Sequence, residues 1–589
     1  MSAAKKPPSK PRDSRSRKPT TEQIRIDDRA LARRLVTAPL AKGETATRKL
    51  TDLKGDLSFG ADAETAAKIQ ALLRGVAEHS PYLWGLIAAD TDRLRDLLAS
   101  NPEDRFADCL ERMRVACDLA NDDEVVLQAL RKGKQEGHLL IALSDLGGVW
   151  QVDAVMAAVS HLADTATIAA TRHALRTAHH AGRVKLANPA EPDQACGLVL
   201  LALGKHGAGE LNYSSDIDLV AFFDPETSAL YDPSESTRIY VRITQHIAKL
   251  LQEHTGDGYA FRVDLRLRPD PGSTPVAVSL PAAFSYYELL GQNWERAAFI
   301  KARPVAGEIG LGEAFLKDLT PFMWRRYFDY AAIADIHAMK RQIHAVRGFA
   351  EIAVAGHNIK VGRGGIREVE FFVQTQQLIF GGRRPQLRGP RTLDMLKELA
   401  ADGWITPDAV TELSAAYRFL REIEHRLQMV ADEQTQRLPA EAGELEGFAQ
   451  FCGYRDAAAF GDALLAQLAC VESHYARLFE AEPELSSSVG NLVFTGVTDD
   501  PETLETLSKL GFANPAMAAE TVRGWHFGRR PAMQSARARE VLTALVPALL
   551  EAFAGSGDPD AALLAFDNAL MRMPAAVELF SILKSNDKV

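Results

Sequence analysis

At 589 residues, 46% hydrophobic and 25% charged, the chain can bury several cores, and its length implies roughly three or four domains. A formal net charge of -10 argues against general nucleic-acid binding, which needs a basic face to neutralise phosphates. No apolar run reads as membrane-spanning and the N-terminus lacks a signal-peptide core, so neither export nor a membrane is expected.

The chain opens on a tail, residues 1–28, dominated in its first twenty by Lys, Arg, Pro and Ser, which predicts a disordered, solubilising extension. From residue 29 to 190, Ala/Leu-rich amphipathic segments predict helices, broken at Ser80-Pro81, Asn101-Pro102 and Gly147-Gly148. Five cysteines, Cys109, Cys117, Cys196, Cys452 and Cys470, show no C-x-x-C spacing. That predicts reduced core residues rather than a disulfide framework or a zinc site.

The chemistry starts at LVLLALGKHGAGELNYSSDIDLVAFF, residues 198 to 223. A short, continuously apolar run from Leu198 to Leu203 predicts a buried strand ended by Gly204. Gly204, Gly207 and Gly209 free the backbone for close approach to a ligand, and Lys205 stands beside Gly204 as a phosphate-binding cation. Ser214 and Ser215 add hydroxyl donors before Asp216 and Asp218, whose spacing of two puts both carboxylates on one strand face while Ile217 and Leu219 turn to the core. Such an edge suits a divalent metal.

The segment FRVDLRLR, residues 261 to 268, alternates so regularly that it predicts a strand with Arg262, Asp264, Arg266 and Arg268 on one face and Val263, Leu265 and Leu267 inward. Beside the first pair, Asp264 would complete a three-carboxylate cage ringed by phosphate-binding arginines. Each part alone has a bland reading. Two acids at a strand end are usually solvated, an Arg/Asp strand is more often a solvated face with ion pairs, and a glycine turn is often only a connection. Their order and spacing together point to a site for a polyphosphate or nucleotide.

Downstream, Gly362-Arg363-Gly364-Gly365 opens a helix from Ile366 to Phe380, where Arg363 and Arg367 make an anion site at its N-terminus conceivable. Glu368 and Glu370 lie about 200° apart around that helix, so they cannot both face one metal. Long helical stretches continue to about residue 480 as a bundle, in which His425 is read as a packing or hydrogen-bonding residue. Residues 484 to 589 hold no recognisable chemistry beyond the breaks at Ser486-Ser487-Ser488 and Asp499-Asp500-Pro501 and the amphipathic helices after them.

The string GKHGAGELNYSSDIDL resembles the family of bifunctional glutamine synthetase adenylyltransferase/adenylyl-removing enzymes. Further resemblances are FRVDLRLRP (261 to 269), NWERAAFIKARPVAG (293 to 307), GRGGIREVEFFVQ (362 to 374) and YRFLREIEHRLQMVADEQTQRLP (417 to 439). The resemblance implies an α+β, mostly helical fold: a helical region over 29–190, a polymerase-beta-type nucleotidyltransferase domain over 191–332, a helical bundle over 333–483, and a helical linker over 484–589. The linker would lead toward an adenylyltransferase half outside this sequence. The motif variants, their N-terminal position and the absence of a second G-K-x-G-x-x-E-L-x-x-x-S-D-x-D-L string after residue 220 favour the adenylyl-removing half.

That half is expected to cleave adenylyl-tyrosine on glutamine synthetase with inorganic phosphate, giving ADP. The resemblance implies Mg2+ on Asp216, Asp218 and Asp264. It implies phosphate or nucleotide contacts from Gly204, Lys205, Ser214, Ser215, Arg262, Arg266, Arg268, Lys301, Arg363 and Arg367, with Glu368 or Glu370 assisting. Adenylylated glutamine synthetase and uridylylated PII signal protein are the expected partners, in the cytoplasm. Three rivals are an ATP-dependent adenylyltransferase of the same family, a non-catalytic scaffold that binds PII or glutamine synthetase, and a PII uridylyltransferase. The last should carry a His-Asp motif, and no His-Asp dipeptide occurs.

Overall fold

The computed structural model describes residues 28–53, 61–324, 352–477, 494, 501–526, 530–533, 536–574, 578–580 and 583. Residues 1–27 of the basic tail and the serines at 486–488 lie outside these. The described residues are mostly helical around one small sheet, an α+β arrangement.

The first helices begin where the sequence supplies caps. Ser80 and Asn101 accept hydrogen bonds from the amides of Leu83 and Asp104, each with a proline in the first helical turn, so the two predicted breaks are helix starts. Asp122 likewise caps the Asp123–Leu146 helix through Val125 N. The Val152–His180 helix corrects one expectation: by length and composition alone it could cross a membrane. In this fold 67% of its apolar window is buried, so that hydrophobicity is used inside the protein.

Five strands form the sheet: β1 (Leu198–Ala202), β2 (Ile217–Phe223), β3 (Val263–Asp264), β4 (Ala277–Ser279) and β5 (Arg303–Gly307). β1 is central, antiparallel to both β2 and β5, while β3 and β4 each run parallel to β2. The uninterrupted apolar run of β1 follows from burial on both faces. Leu198, Leu200 and Ala202 join the core built with the N-terminal helices, and Val199 and Leu201 join a second core with the later helices.

β2 alternates the same way, with Ile217, Leu219, Ala221 and Phe223 in the first core and Val220 and Phe222 in the second. Asp218 has the parity of Val220 and so opens toward the later helices, Ile366–Phe380, Pro407–Ala431 and Ala457–Arg477. A third core, around Leu507, Trp525, Leu542 and Leu563, is made by the helices beyond residue 500. All five cysteines are free, and burial pushes the Cys109, Cys117, Cys196 and Cys452 thiols up to about 12.

The predicted strand over 261 to 268 is cut short: β3 ends at Asp264. The Asp264 carboxylate accepts the Arg266 amide at 2.8 Å, and this local bond turns the chain out of the ladder. Beyond it the alternation fails, since Val263 and Leu265 pack on the first core and Leu267 on the second.

Candidate active site

The parallel pairing of β2 and β3 sets Asp218 opposite Asp264, and Asp216 lies just before β2. The three predicted carboxylates therefore meet at one sheet edge. Gly204 is what lets the preceding turn reach them. Its φ is +55°, and a Cβ there would lie 2.3 Å from Asp218 Oδ2. Gly207 is needed differently, because a Cβ would lie 1.9 Å from the Lys301 carbonyl oxygen; its space is taken by protein backbone, not by a ligand.

The electrostatics of the edge are unbalanced. Burial, with the negative charges of Asp264 and Asp216, pushes Asp218 up to about 7. Burial also works against ionised Asp264, but the Arg266 guanidinium, 2.6 Å from Oδ2, together with the Arg266 amide holds it below its ordinary value. Arg262 pairs with Asp216 at 2.7 Å. Three neighbouring carboxylates, one of them pushed toward neutrality by burial and by the other two, suit a hard divalent cation such as Mg2+.

Several predicted phosphate ligands are engaged elsewhere. Arg262 also donates to Tyr259 Oη and to Ser214, whose own hydroxyl donates to the Asp432 carbonyl. Both therefore shape the turn that carries Asp216. Arg268 donates to the carbonyls of Leu265, Pro271 and Thr274, holding the loop after β3 because the strand that would have aimed it at the site does not form. Ser215 is half-buried beside Asp216, and Arg266 is 54% exposed in its side chain.

The glycine turn before Ile366 does not offer a free helix end. The amides of Ile366, Arg367 and Glu368 donate to the carbonyls of Ile359, Lys360 and Gly365. Arg363 pairs with Glu472, and Arg367 lies 3.8 Å from Glu370. The expected anion site at Arg363 and Arg367 thus lacks its backbone donors. Glu368 turns back to accept the Gly364 amide at 3.0 Å, whereas Glu370 points to Lys301.

Behind the carboxylates lies a buried ionic cluster. Lys205 sits 2.9 Å from Glu424, and burial pushes its ammonium down to about 7 against the pull of that carboxylate. Lys301 stands 3.7 Å from Glu210 and 3.8 Å from Glu370. Burial alone would raise both acids, yet Glu424 is held at about 2 by Lys205 and Arg421, and Glu370 at about 2 by Lys301 and Lys205. Fully buried Arg421 donates to Asn212 Oδ1, to the Glu210 carbonyl and to Tyr417 Oη.

Glu210, Asn212, Tyr417, Arg421 and Glu424 are the residues sequence reasoning missed. The signal was a polar stripe at 417, 421, 424 and 428 on one helix face, a spacing that ordinarily marks solvent. Lys360 was missed too; half-buried, it places its positive charge where Asp218, Lys205 and Glu424 all feel it. His425 is buried with its ring 5.3 Å from Tyr213 and Nδ1 3.7 Å from Asp145, a packed position away from the carboxylates.

Comparison with known proteins bears on this arrangement. Residues 70–318 match the family model of glutamate-ammonia ligase adenylyltransferase, and residues 335–479 match that of GlnD PII-uridylyltransferase. A protein of Mesorhizobium japonicum named bifunctional glutamine synthetase adenylyltransferase/adenylyl-removing enzyme is 52% identical over 523 residues, 88% of this chain and 52% of the relative. Proteins of the same name from Brucella melitensis and Rhizobium meliloti are 49% and 48% identical, covering 91% and 92% of this chain and 55% and 58% of their own lengths. The chain spans little more than half the length of these curated relatives. With about half of all aligned positions identical along most of its length, it belongs to the family of bifunctional glutamine synthetase adenylyltransferase/adenylyl-removing enzymes.

Proposed function

We propose that this chain is a nucleotidyltransferase that removes AMP from adenylylated tyrosine on glutamine synthetase, using inorganic phosphate and giving ADP. The observation that carries the reading is the meeting of Asp216, Asp218 and Asp264 at one edge, with Asp218 pushed up to about 7 by burial and by the negative charges of Asp264 and Asp216. The names of the relatives supply the substrate and the two reaction directions. The motif variants NWERAAFIKAR and GGIREVEF favour removal.

In this reading residues 191–332 form a polymerase-beta-type catalytic domain, flanked by the helical region 29–190 and the bundle 333–483, with 484–589 as linker. Bound Mg2+ would neutralise the carboxylates and polarise phosphoryl oxygens. The chain's own residues do the positioning. Arg262 fixes Asp216, the Arg266 pair keeps Asp264 ionised, and Gly204 admits the turn to Asp218. Arg266 and Lys360 supply positive charge for the phosphate and the AMP moiety, since phosphoryl transfer is mainly positioning and electrostatics.

A tyrosyl oxygen leaves with a pKa of about 10, so a strong general acid is not required. Phosphate is already anionic at neutral pH. The reaction would run in the cytoplasm, with uridylylated PII as regulator. The test is incubation with adenylylated glutamine synthetase and Mg2+, with and without phosphate. ADP released only with phosphate supports the reading. AMP transfer from ATP to unmodified glutamine synthetase would instead assign the adenylylating direction that the relatives' names also carry. No turnover, but binding of glutamine synthetase or PII, would leave a scaffold.

A further inference from the structure

Outside the carboxylate site, three residues far apart in sequence converge. Asp123 opens the Asp123–Leu146 helix, His173 lies in Val152–His180 and His246 in Ser236–Gln252. Asp123 Oδ1 is 3.0 Å from the Nε2 atoms of both imidazoles, and Oδ2 is 2.9 Å from His246 Nε2. One ligand atom from each of the three lies within 4.8 Å of the other two.

We propose that Asp123, His173 and His246 bind a borderline divalent transition ion of the zinc class. A tetrahedral ion with bonds of about 2.0–2.1 Å has ligand atoms about 3.3 Å apart, close to the two carboxylate–imidazole spacings here. Two neutral imidazoles and one carboxylate are a zinc-type set and a poor one for Mg2+, which takes oxygen ligands. The site is open on one side. His173 is 4% exposed in its side chain, whereas His246 is 21% and Asp123 39% exposed, which leaves room for water as a fourth ligand.

The surroundings do not compete for the three groups. Arg176, whose charge His173 feels, is held by Asp118 at 2.9 Å and donates to the Cys117 carbonyl. Thr177 Oγ1 also lies 3.4 Å from His173 Nε2. An ion there would clamp the His246 helix to the two N-terminal helices. The far end of the same helix accepts the amides of Ala260 and Phe261 through the Leu251 carbonyl, just before Arg262 and Asp264. The clamp would therefore stiffen the support of β3.

The test uses the full 589-residue chain, untagged, stripped with chelator and dialysed against micromolar Zn2+ in excess Mg2+, with bound metal counted by mass spectrometry. The expected result is one Zn2+ per chain, retained in Cys470→Ser and lost in Asp123→Asn and His246→Gln, with circular dichroism confirming that the variants fold. Absence of Zn2+ from the parent chain, or its retention in His246→Gln, would overturn the proposal. Loss in Cys470→Ser would also overturn it, moving the ion to the second cluster of Glu412, Cys470 and His474. A parent chain loaded with Co2+ gives a readout that needs no variant. A tetrahedral visible spectrum without a thiolate charge-transfer band is expected, and such a band would overturn the assignment.

Discussion

The carboxylate edge and the ionic cluster behind it are adjacent, both charged, and built on opposite plans. In the cluster each buried charge meets an opposite one: Lys205 meets Glu424, Lys301 lies between Glu210 and Glu370, and Arg421 bridges to Glu424 at 3.4 Å. At the edge Arg262 holds Asp216 and Arg266 holds Asp264, while Asp218 is in neither pair: burial and its two acidic neighbours push it up against the pull of Lys360 and Arg266. Close ion pairs serve as scaffold, while a buried acid pushed toward neutrality is the kind of group that a bound cation would satisfy.

The largest effect should come from replacing Asp218. Asp218→Asn is expected to lower Mg2+-dependent turnover on the order of 100-fold or more while leaving the unfolding midpoint in urea unchanged or raised, because an amide relieves repulsion with Asp216 and Asp264. Asp216→Asn with full activity would remove the metal role outright. Charge removal in the cluster should do the reverse. Glu424→Ala strands Lys205 and Arg421, so chemical denaturation should show a loss of about 3–5 kcal/mol. If both variants behaved alike, the two regions would not differ as described.

Gly204→Ala should combine a backbone cost of about 1–2 kcal/mol with displacement of Asp218, so activity should fall further than stability. A smaller effect tests the tie between the regions. Tyr259→Phe removes the hydroxyl that joins Arg262 to Asp432, and is expected to cost about 1–3 kcal/mol while weakening Mg2+ binding through a misplaced Asp216.

The mildest test is pH. The Asp218 carboxyl is raised in the folded chain, so folding favours its proton, and its contribution to stability falls as pH rises from the ordinary carboxylate range through about 7. Mg2+ competes with that proton, so its affinity should weaken as pH drops below 7. Isothermal titration at two pH values would show this, and Asp218→Asn should abolish the difference.

What could be read from the sequence divides along the same line. The two apolar runs and the period-2 spacing at 216 and 218 were legible because strand geometry is local. The end of β3 was not, since one carboxylate–amide bond at Asp264 outweighed an alternation that looked uninterrupted. Lys205 was picked out by its place beside Gly204, but its partner in the fold could not be: Glu424 lies 219 positions away, and nothing local announces it. The stripe at Tyr417, Arg421, Glu424 and Gln428 has the spacing of a solvated helix face, but its partners sit on another part of the chain: Arg421 donates to Asn212 and Gln428 accepts the Ser214 amide. Long-range polar pairing leaves no period in a sequence.

Asp432, in a left-handed conformation at φ 53°, holds more together than its own helix end. Its carboxylate receives Lys134 and Tyr259, and its carbonyl receives Ser214, so residues up to 298 positions apart fix the turn that carries Asp216. The segment that carries the carboxylates is therefore not a module. Cut out at its apparent boundaries it would lose the anchor of its own carboxylate, and a chimera exchanging the helical region between relatives would function only if Lys134, Tyr259 and Asp432 travelled as a set.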